Sequence, residues 1–186
     1  ESPGKVESLT TEIPYVEDPL SLYRQLCEDR ANSLLLESAE IDSKNNLKSL
    51  LLVDAALKLT CWGQTVTAEA VTDNGRSLLP LFNSLKSKNI TVSSNANAVT
   101  LTFPAPDKNQ DEEQRLKATS QFDSLRTLLC DLSSIRGHEF AVFLGGVFAY
   151  DLIASVEPLP QVPESANHCP DFLFYVAETL LVIDHQ

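Results

Sequence analysis

The stretch from residue 47 to residue 71, LKSLLLVDAALKLTCWGQTVTAEAV, constrains the fold of this chain more than any other. Ser49–Asp54 is an apolar run and Ala56–Trp62 follows it, so both are predicted as strands. Thr65–Val71 alternates apolar with polar residues, and Gly63 separates it from the preceding run. This pattern is typical of a β-hairpin with one solvated face.

Further elements are predicted on both sides of this hairpin. Asp18 as an N-cap and Pro19 at the first helical position predict a helix over about 19–29. Two more helices are predicted, one after Asn74-Gly75 with Pro80 in its first turn or bending it, and one through 116–130. The other predicted strands lie at 33–39, 98–103, 140–144 and 172–184. The chain is therefore expected to be α+β, with antiparallel strands and helices outside.

The dipeptide Gly145-Gly146 follows the predicted strand 140–144. Without flanking glycines and a lysine it is neither a P-loop nor a dinucleotide fingerprint. We expect a sharp turn there, with a helix opening at VFAYDLIA.

Charge and cysteine usage exclude several classes of partner. The net charge of −12 disfavours binding to phosphate backbones and to anionic lipid, so neither nucleic acid nor a membrane is an expected partner. No apolar run is long enough to span a bilayer, and the N-terminus lacks the pattern of an export signal. The four cysteines form no CxxC pair. They are expected to be reduced, mostly buried thiols of a cytoplasmic protein.

No catalytic or metal site is predicted. The histidines His138, His168 and His185 lie in no nucleophile signature, and the acidic residues follow no metal-ligand spacing. The chain also stops at Gln186 in the middle of a strand-like run. We expect it to be an N-terminal piece of a longer protein.

The run LLLESAEIDSKNNLKS, residues 34–49, is the candidate binding segment. Leu36 and Ser38 share one face of an extended strand, and Glu37 lies on the other. A strand with leucines on both faces is expected to be covered on both sides, so a carboxylate at its end needs a partner. That partner is either Lys48, in a structural pair with Ser38 as a cap, or the ammonium group of a bound amino acid.

Three blocks carry a resemblance to a known family: LLLESAEIDSKNNLKSLLLVDAAL, FLGGVFAYDL and CPDFLFYVAETLLVIDHQ. They resemble the N-terminal part of anthranilate synthase component I, and the resemblance extends from the helix at Pro19 to Gln186. It implies two packed, mainly antiparallel β-sheets with flanking helices, and a regulatory domain over residues 1–186. The C-terminal chorismate-binding domain of the family is absent from this sequence.

The resemblance also implies a function for the parent protein. The family converts chorismate and ammonia to anthranilate and pyruvate in tryptophan biosynthesis, and it needs Mg²⁺. The ammonia comes from glutamine through a glutamine amidotransferase partner subunit. The catalytic and Mg²⁺ residues belong to the absent region, so this chain alone is expected to be inactive and to hold no cofactor.

The family's feedback site for tryptophan maps onto one segment of this chain. Its LLES motif corresponds to residues 35–38. The resemblance implies that this half of the inhibitor pocket is formed by Leu36, Glu37, Ser38, Ala39 and Lys48. Arg126 matches a family position linked to feedback control, and we expect it to couple the sites rather than to contact the ligand.

Two other functions stay open on the sequence alone. The first is component I of aminodeoxychorismate synthase, which shares the fold. The second is a stand-alone amino-acid-binding or scaffold domain, which would fit an acidic chain without a catalytic site.

Overall fold

The structure, a computed structural model, describes residues 4–37, 47–105, 111–134, 138–150, 152 and 168–185. The strands are β1 (Lys5–Val6), β2 (Leu34–Glu37), β3 (Lys48–Trp62), β4 (Thr65–Ala70), β5 (Thr91–Ser94), β6 (Ala98–Thr102), β7 (Ser133–Ser134), β8 (Leu144–Phe148) and β9 (Phe172–Asp184). The helices are α1 (Pro19–Cys27), α2 (Asp73–Leu78), a 3₁₀ helix (Leu79–Lys88), α3 (Glu112–Lys117) and α4 (Phe122–Asp131).

A seven-stranded antiparallel sheet organises the fold. Its order is β5-β6-β4-β3-β9-β8, and β2 pairs with the beginning of β3. The two-residue strands β1 and β7 form a separate parallel pair. The predicted α+β class, with antiparallel strands and flanking helices, is confirmed. In place of the two packed sheets that the resemblance implied, the described residues form one large sheet and the short β1–β7 pair.

Strand β3 is the centre of the sheet and differs from its prediction. Two strands were expected on either side of Ala55, but 48–62 is one continuous strand that pairs with β9 along nearly its whole length. Register shifts between Leu52 and Leu57 interrupt the ladder without ending it. Such bulges turn individual residues out of the alternation, which explains why the sequence pattern resembles two strands.

The predicted turn at Gly145-Gly146 is wrong, because both glycines lie inside β8. The strand begins at Leu144, where the prediction ended it, and it includes Val147 and Phe148, where a helix was predicted to open. At Gly146 an added Cβ would lie 2.7 Å from the Cα of Phe174 on the neighbouring strand. The glycine is therefore needed for close approach within the sheet and not for a chain reversal.

The first helices follow the sequence signals closely, whereas the helix predicted through 116–130 is two helices, α3 and α4, separated at residues 118–121. Asp18 caps α1 by accepting a hydrogen bond from the Ser21 backbone N–H, and Pro19 occupies the first turn. Pro80 lies in the first turn of the 3₁₀ helix that continues α2. Among the described residues, none of these helices has the length and apolar character that crossing a bilayer requires.

Two hydrophobic clusters hold the helices on the sheet. In the larger cluster, α4 and the 3₁₀ helix pack on β3, β4, β6 and β9, with Phe82, Leu128 and Phe172 completely buried or nearly so. In the smaller one, α1 packs through Cys27 on Leu51 and Ile183. The smaller cluster lies at the end of the sheet where β2 pairs with β3. Of the four free cysteines, Cys27 and Cys61 are buried, and Cys130 and Cys169 are exposed.

Candidate functional site

The register of β2 on β3 determines which predicted site residues can act together. Leu36 lies opposite Leu50, and Glu37 lies opposite Ser49. Because side chains alternate between faces, Leu36, Leu50 and Lys48 share one face of the sheet. Glu37 and Ser49 lie on the other face, on which α1 packs. A single ligand reaches Leu36, Glu37 and Lys48 together only at the end of β2, where the two faces meet.

The strand β2 becomes more exposed toward its polar end. Leu34 and Leu35 are half-buried, Leu36 is 37% exposed and Glu37 is exposed. The expectation that the triple leucine is covered on both sides is therefore wrong at Leu36. Among the described residues β2 pairs only with β3, and an edge strand of four residues leaves its end open to solvent.

Lys48 has a partner, but it is not Glu37. Its ammonium lies 2.9 Å from the Glu139 carboxylate and 5.3 Å from the centroid of the Phe140 ring. The hydrogen bond to Glu139 raises the pKa of Lys48, so the ammonium stays charged well above neutral pH. The structural alternative of a Glu37–Lys48 pair is wrong, because the two residues lie on opposite faces.

A polar network on the α1 face was not predicted. The Ser49 hydroxyl, which is buried, lies 2.8 Å from Nε2 of His185. Nδ1 of the same ring lies 3.0 Å from the Tyr15 hydroxyl. These contacts fasten the extended N-terminal segment to the ends of β3 and β9. They join residues 136 and 170 positions apart, for which the sequence carries no local signal.

The remaining predicted residues lie apart or outside the described part of the chain. Ser38 and Ala39 fall outside the described residues. Arg126 is exposed on α4, 3.8 Å from the Asp123 carboxylate. The first residue of α4, Phe122, stacks on Phe172 at the start of β9, whereas Lys48 pairs with Asp184 at its end, roughly 40 Å away along an extended strand. The structure does not bring Arg126 to the end of β2.

Two shallow depressions mark the described surface, and neither is lined by Leu36, Glu37 or Lys48. The larger, of about 320 Å³, is lined by Arg30, Ala31, Val53, Asp54, Ala55, Val71 and Thr72. The smaller, of about 210 Å³, is lined by Ile13, Pro14, Tyr15, Val16, Val182, Ile183 and Asp184. Within the described ranges no group of three or more His, Cys, Asp or Glu side chains is arranged to hold a metal ion.

Comparison with known proteins gives a consistent result. No protein-family model matches the chain. It is 50% identical over 181 residues to anthranilate synthase component 1 of Vibrio cholerae. The aligned region covers 97% of this chain and 34% of the relative. The identity is 49% over 178 residues to the Serratia marcescens protein of the same name, covering 96% and 34%. It is 48% over 181 residues to that of Escherichia coli, covering 97% and 35%.

The chain thus spans about a third of the length of the curated relatives that it matches. The predicted resemblance is confirmed over nearly the whole sequence, including the blocks that contain β2, β8 and β9. The chain is therefore similar, over nearly its whole length, to the N-terminal third of anthranilate synthase component 1 proteins.

Proposed function

We propose that this chain is the regulatory N-terminal part of an anthranilate synthase component 1 and forms half of a pocket that binds L-tryptophan. The observation that carries the proposal is the 50% identity over 97% of the chain, which includes the LLES segment at the end of β2. The local geometry supports it, because Leu36 shares a face with Lys48 and the exposed Glu37 lies at the end of the same short edge strand.

Each described residue at the end of β2 offers a different contact to a zwitterionic amino acid. The half-exposed side chain of Leu36 packs against the indole ring. The carboxylate of Glu37 attracts the ligand's ammonium, and Lys48 attracts its carboxylate. Ser38 and Ala39, whose positions are not described, are proposed to complete this half of the pocket, with Ser38 as a hydrogen-bond partner and cap. The other half belongs to the C-terminal region of the longer protein.

The longer protein is proposed to convert chorismate and ammonia to anthranilate and pyruvate. Ammonia would come from glutamine through an amidotransferase partner, component II, and Mg²⁺ would be held by the C-terminal region. The described residues support no metal site of their own. We therefore expect the chain by itself to bind no Mg²⁺ and to have no synthase activity.

Inhibition is proposed to act by a population shift. Tryptophan would favour a conformation in which the C-terminal active site does not close on chorismate, and chorismate would favour the other conformation. Arg126 is proposed to affect this equilibrium without touching the ligand. Its place on α4, near the start of β9 and away from Lys48, supports a role at a distance.

The test is a bulky substitution in the LLES segment of the longer protein. Ser38→Phe should raise the tryptophan concentration for half-inhibition by about five- to 150-fold, because overpacking a pocket costs about 1–3 kcal/mol. Turnover without tryptophan should change little. The control is Ser93→Phe, which adds the same side chain on the exposed strand β5. Unchanged tryptophan sensitivity in Ser38→Phe would contradict the proposed pocket.

Calorimetry on the isolated chain separates this proposal from a stand-alone sensor. A pocket shared with the C-terminal region predicts weak tryptophan binding or none by the isolated chain. Tight binding by the chain alone would favour the stand-alone domain instead.

A further inference from the structure

In the proposed function, the ammonium of Lys48 binds the ligand's carboxylate. In the structure, the same ammonium forms an ion pair with Glu139. The two charged groups are 2.9 Å apart, and the Phe140 ring lies beside the ammonium. A ligand carboxylate that binds Lys48 in the same manner must displace the carboxylate of Glu139, because both are anions that accept the same donors.

The two partners of this pair are held very differently. Lys48 is on the central strand β3, opposite Asp184 in the ladder with β9, and its side chain is 29% exposed. Glu139 lies in a turn outside the sheet, and its side chain is 64% exposed. An exposed carboxylate on a turn regains full hydration when it leaves the lysine. The lysine is therefore the fixed partner and the glutamate the displaceable one.

Two other groups still stabilise the positive charge of Lys48 when Glu139 leaves. Asp184, its cross-strand neighbour on β9, also raises the pKa of Lys48, although less than Glu139 does. The Phe140 ring further stabilises the ammonium through a cation–π contact. Lys48 thus stays charged beside Asp184 and Phe140 and can bind another anion.

We propose that Glu139 is an internal competitor that occupies Lys48 in the ligand-free state and thereby lowers the affinity of the site for amino-acid carboxylates. This inference rests on the proposed function. It makes Glu139 an affinity-determining residue that lies outside the LLES segment and does not contact the ligand. The competition acts only on ligands that carry a carboxylate.

The test measures L-tryptophan binding by calorimetry in the longer protein with Glu139→Gln. Glutamine keeps the size of the side chain but removes the competing charge. An ion pair of this exposure is worth about a two- to fivefold change in equilibrium, so Kd should fall by about that factor. L-tryptophan amide lacks the carboxylate, so Glu139→Gln should leave its binding the same as in the wild type. The matched control is Glu113→Gln, which breaks an exposed pair with Lys117 on α3.

A second readout needs no ligand. In the ligand-free protein, acetylation of Lys48 by acetic anhydride should be faster in Glu139→Gln than in the wild type, because the freed amine is less protonated and less shielded. Equal acetylation rates would show that the pair does not form in solution, which overturns the inference.

The outcomes separate the inference from the proposed function. If the wild type neither binds L-tryptophan nor is inhibited by it, both fail. If the wild type binds but Glu139→Gln leaves Kd unchanged, only the competition is overturned. If Glu139→Gln weakens binding, Glu139 contacts the ligand's ammonium instead, and the competition is again overturned.

Discussion

Replacing Gly75 by alanine should destabilise the fold although alanine is the better helix former. Gly75 is buried in α2, against the bulged part of β3. An added Cβ would lie 2.6 Å from the carbonyl carbon of Ala56 and closer still to its oxygen. That oxygen accepts hydrogen bonds from the backbone N–H groups of Val71, at 2.9 Å, and Thr72, at 3.3 Å. To make room for the added Cβ, α2 must move away from β3, and the backbone at Val71 and Thr72 must move with it.

The expected magnitude follows from three opposing contributions. Alanine gains about 1 kcal/mol over glycine in helix propensity. Overpacking costs about 1–3 kcal/mol, and weakening the buried hydrogen bonds to Ala56 costs about 1–3 kcal/mol more. The net loss is about 1–5 kcal/mol of unfolding free energy, or roughly 2–20 °C in Tm for a chain of this size.

Thermal unfolding followed by far-UV circular dichroism measures this loss. The control is Gly63→Ala, in the β3–β4 turn, where no atom lies within 4 Å of the added Cβ. That glycine has a φ of +56°, so its replacement should cost only about 1–2 kcal/mol of backbone strain. A Gly75→Ala variant as stable as the wild type would refute the close approach of α2 to the bulge.

Two further predictions concern the cysteines. In the native chain the exposed Cys130 and Cys169 should react quickly with a thiol reagent at pH 8, and the buried Cys27 and Cys61 should not. All four should react in denaturant. Rapid labelling of Cys61 in the native chain would contradict its burial. Burial raises the pKa of Cys61 from 9.0 to about 12, so the folded state holds a proton that the unfolded state releases. The contribution of Cys61 to the unfolding free energy should therefore be fully present below pH 9 and be lost between pH 9 and pH 12. Urea unfolding should show a smaller decrease in stability over this range for Cys61→Ala than for the wild type.

The sequence predicted the elements whose local pattern agrees with their final environment. The strand Phe172–Asp184 has its predicted bounds because apolar residues dominate it on both sides of Glu178 and Thr179. The cap at Asp18 and the first-turn Pro19 predicted α1 for the same local reason. In these segments no distant contact competes with the local signal.

The failures come from contacts that only the folded chain creates. Asp54 seemed to end a strand, but in the structure it pairs with Arg30 at the bulged part of β3. The glycine pair in β8 was interpreted as a turn because the close approach of β9 leaves no trace in the local sequence. The partner of Lys48 lies 91 positions away at Glu139, and no local signal favours it over the nearer carboxylate of Glu37.

The candidate site was located by resemblance rather than by local physics. The residues alone left a structural pair and an amino-acid pocket as open alternatives. The register of β2 excludes the pair with Lys48, because Glu37 lies opposite Ser49 on the other face. The carboxylate of Glu37 is instead exposed at the end of β2.

Hydrogen–deuterium exchange of the longer protein, with and without L-tryptophan, tests the proposed pocket most directly. Binding at the end of β2 predicts slower exchange of the amides at Leu36, Glu37 and the first residues of β3, and a smaller effect in Ser38→Phe. Tryptophan binding that leaves these amides unchanged and instead protects the depression around Arg30 and Asp54 would contradict it.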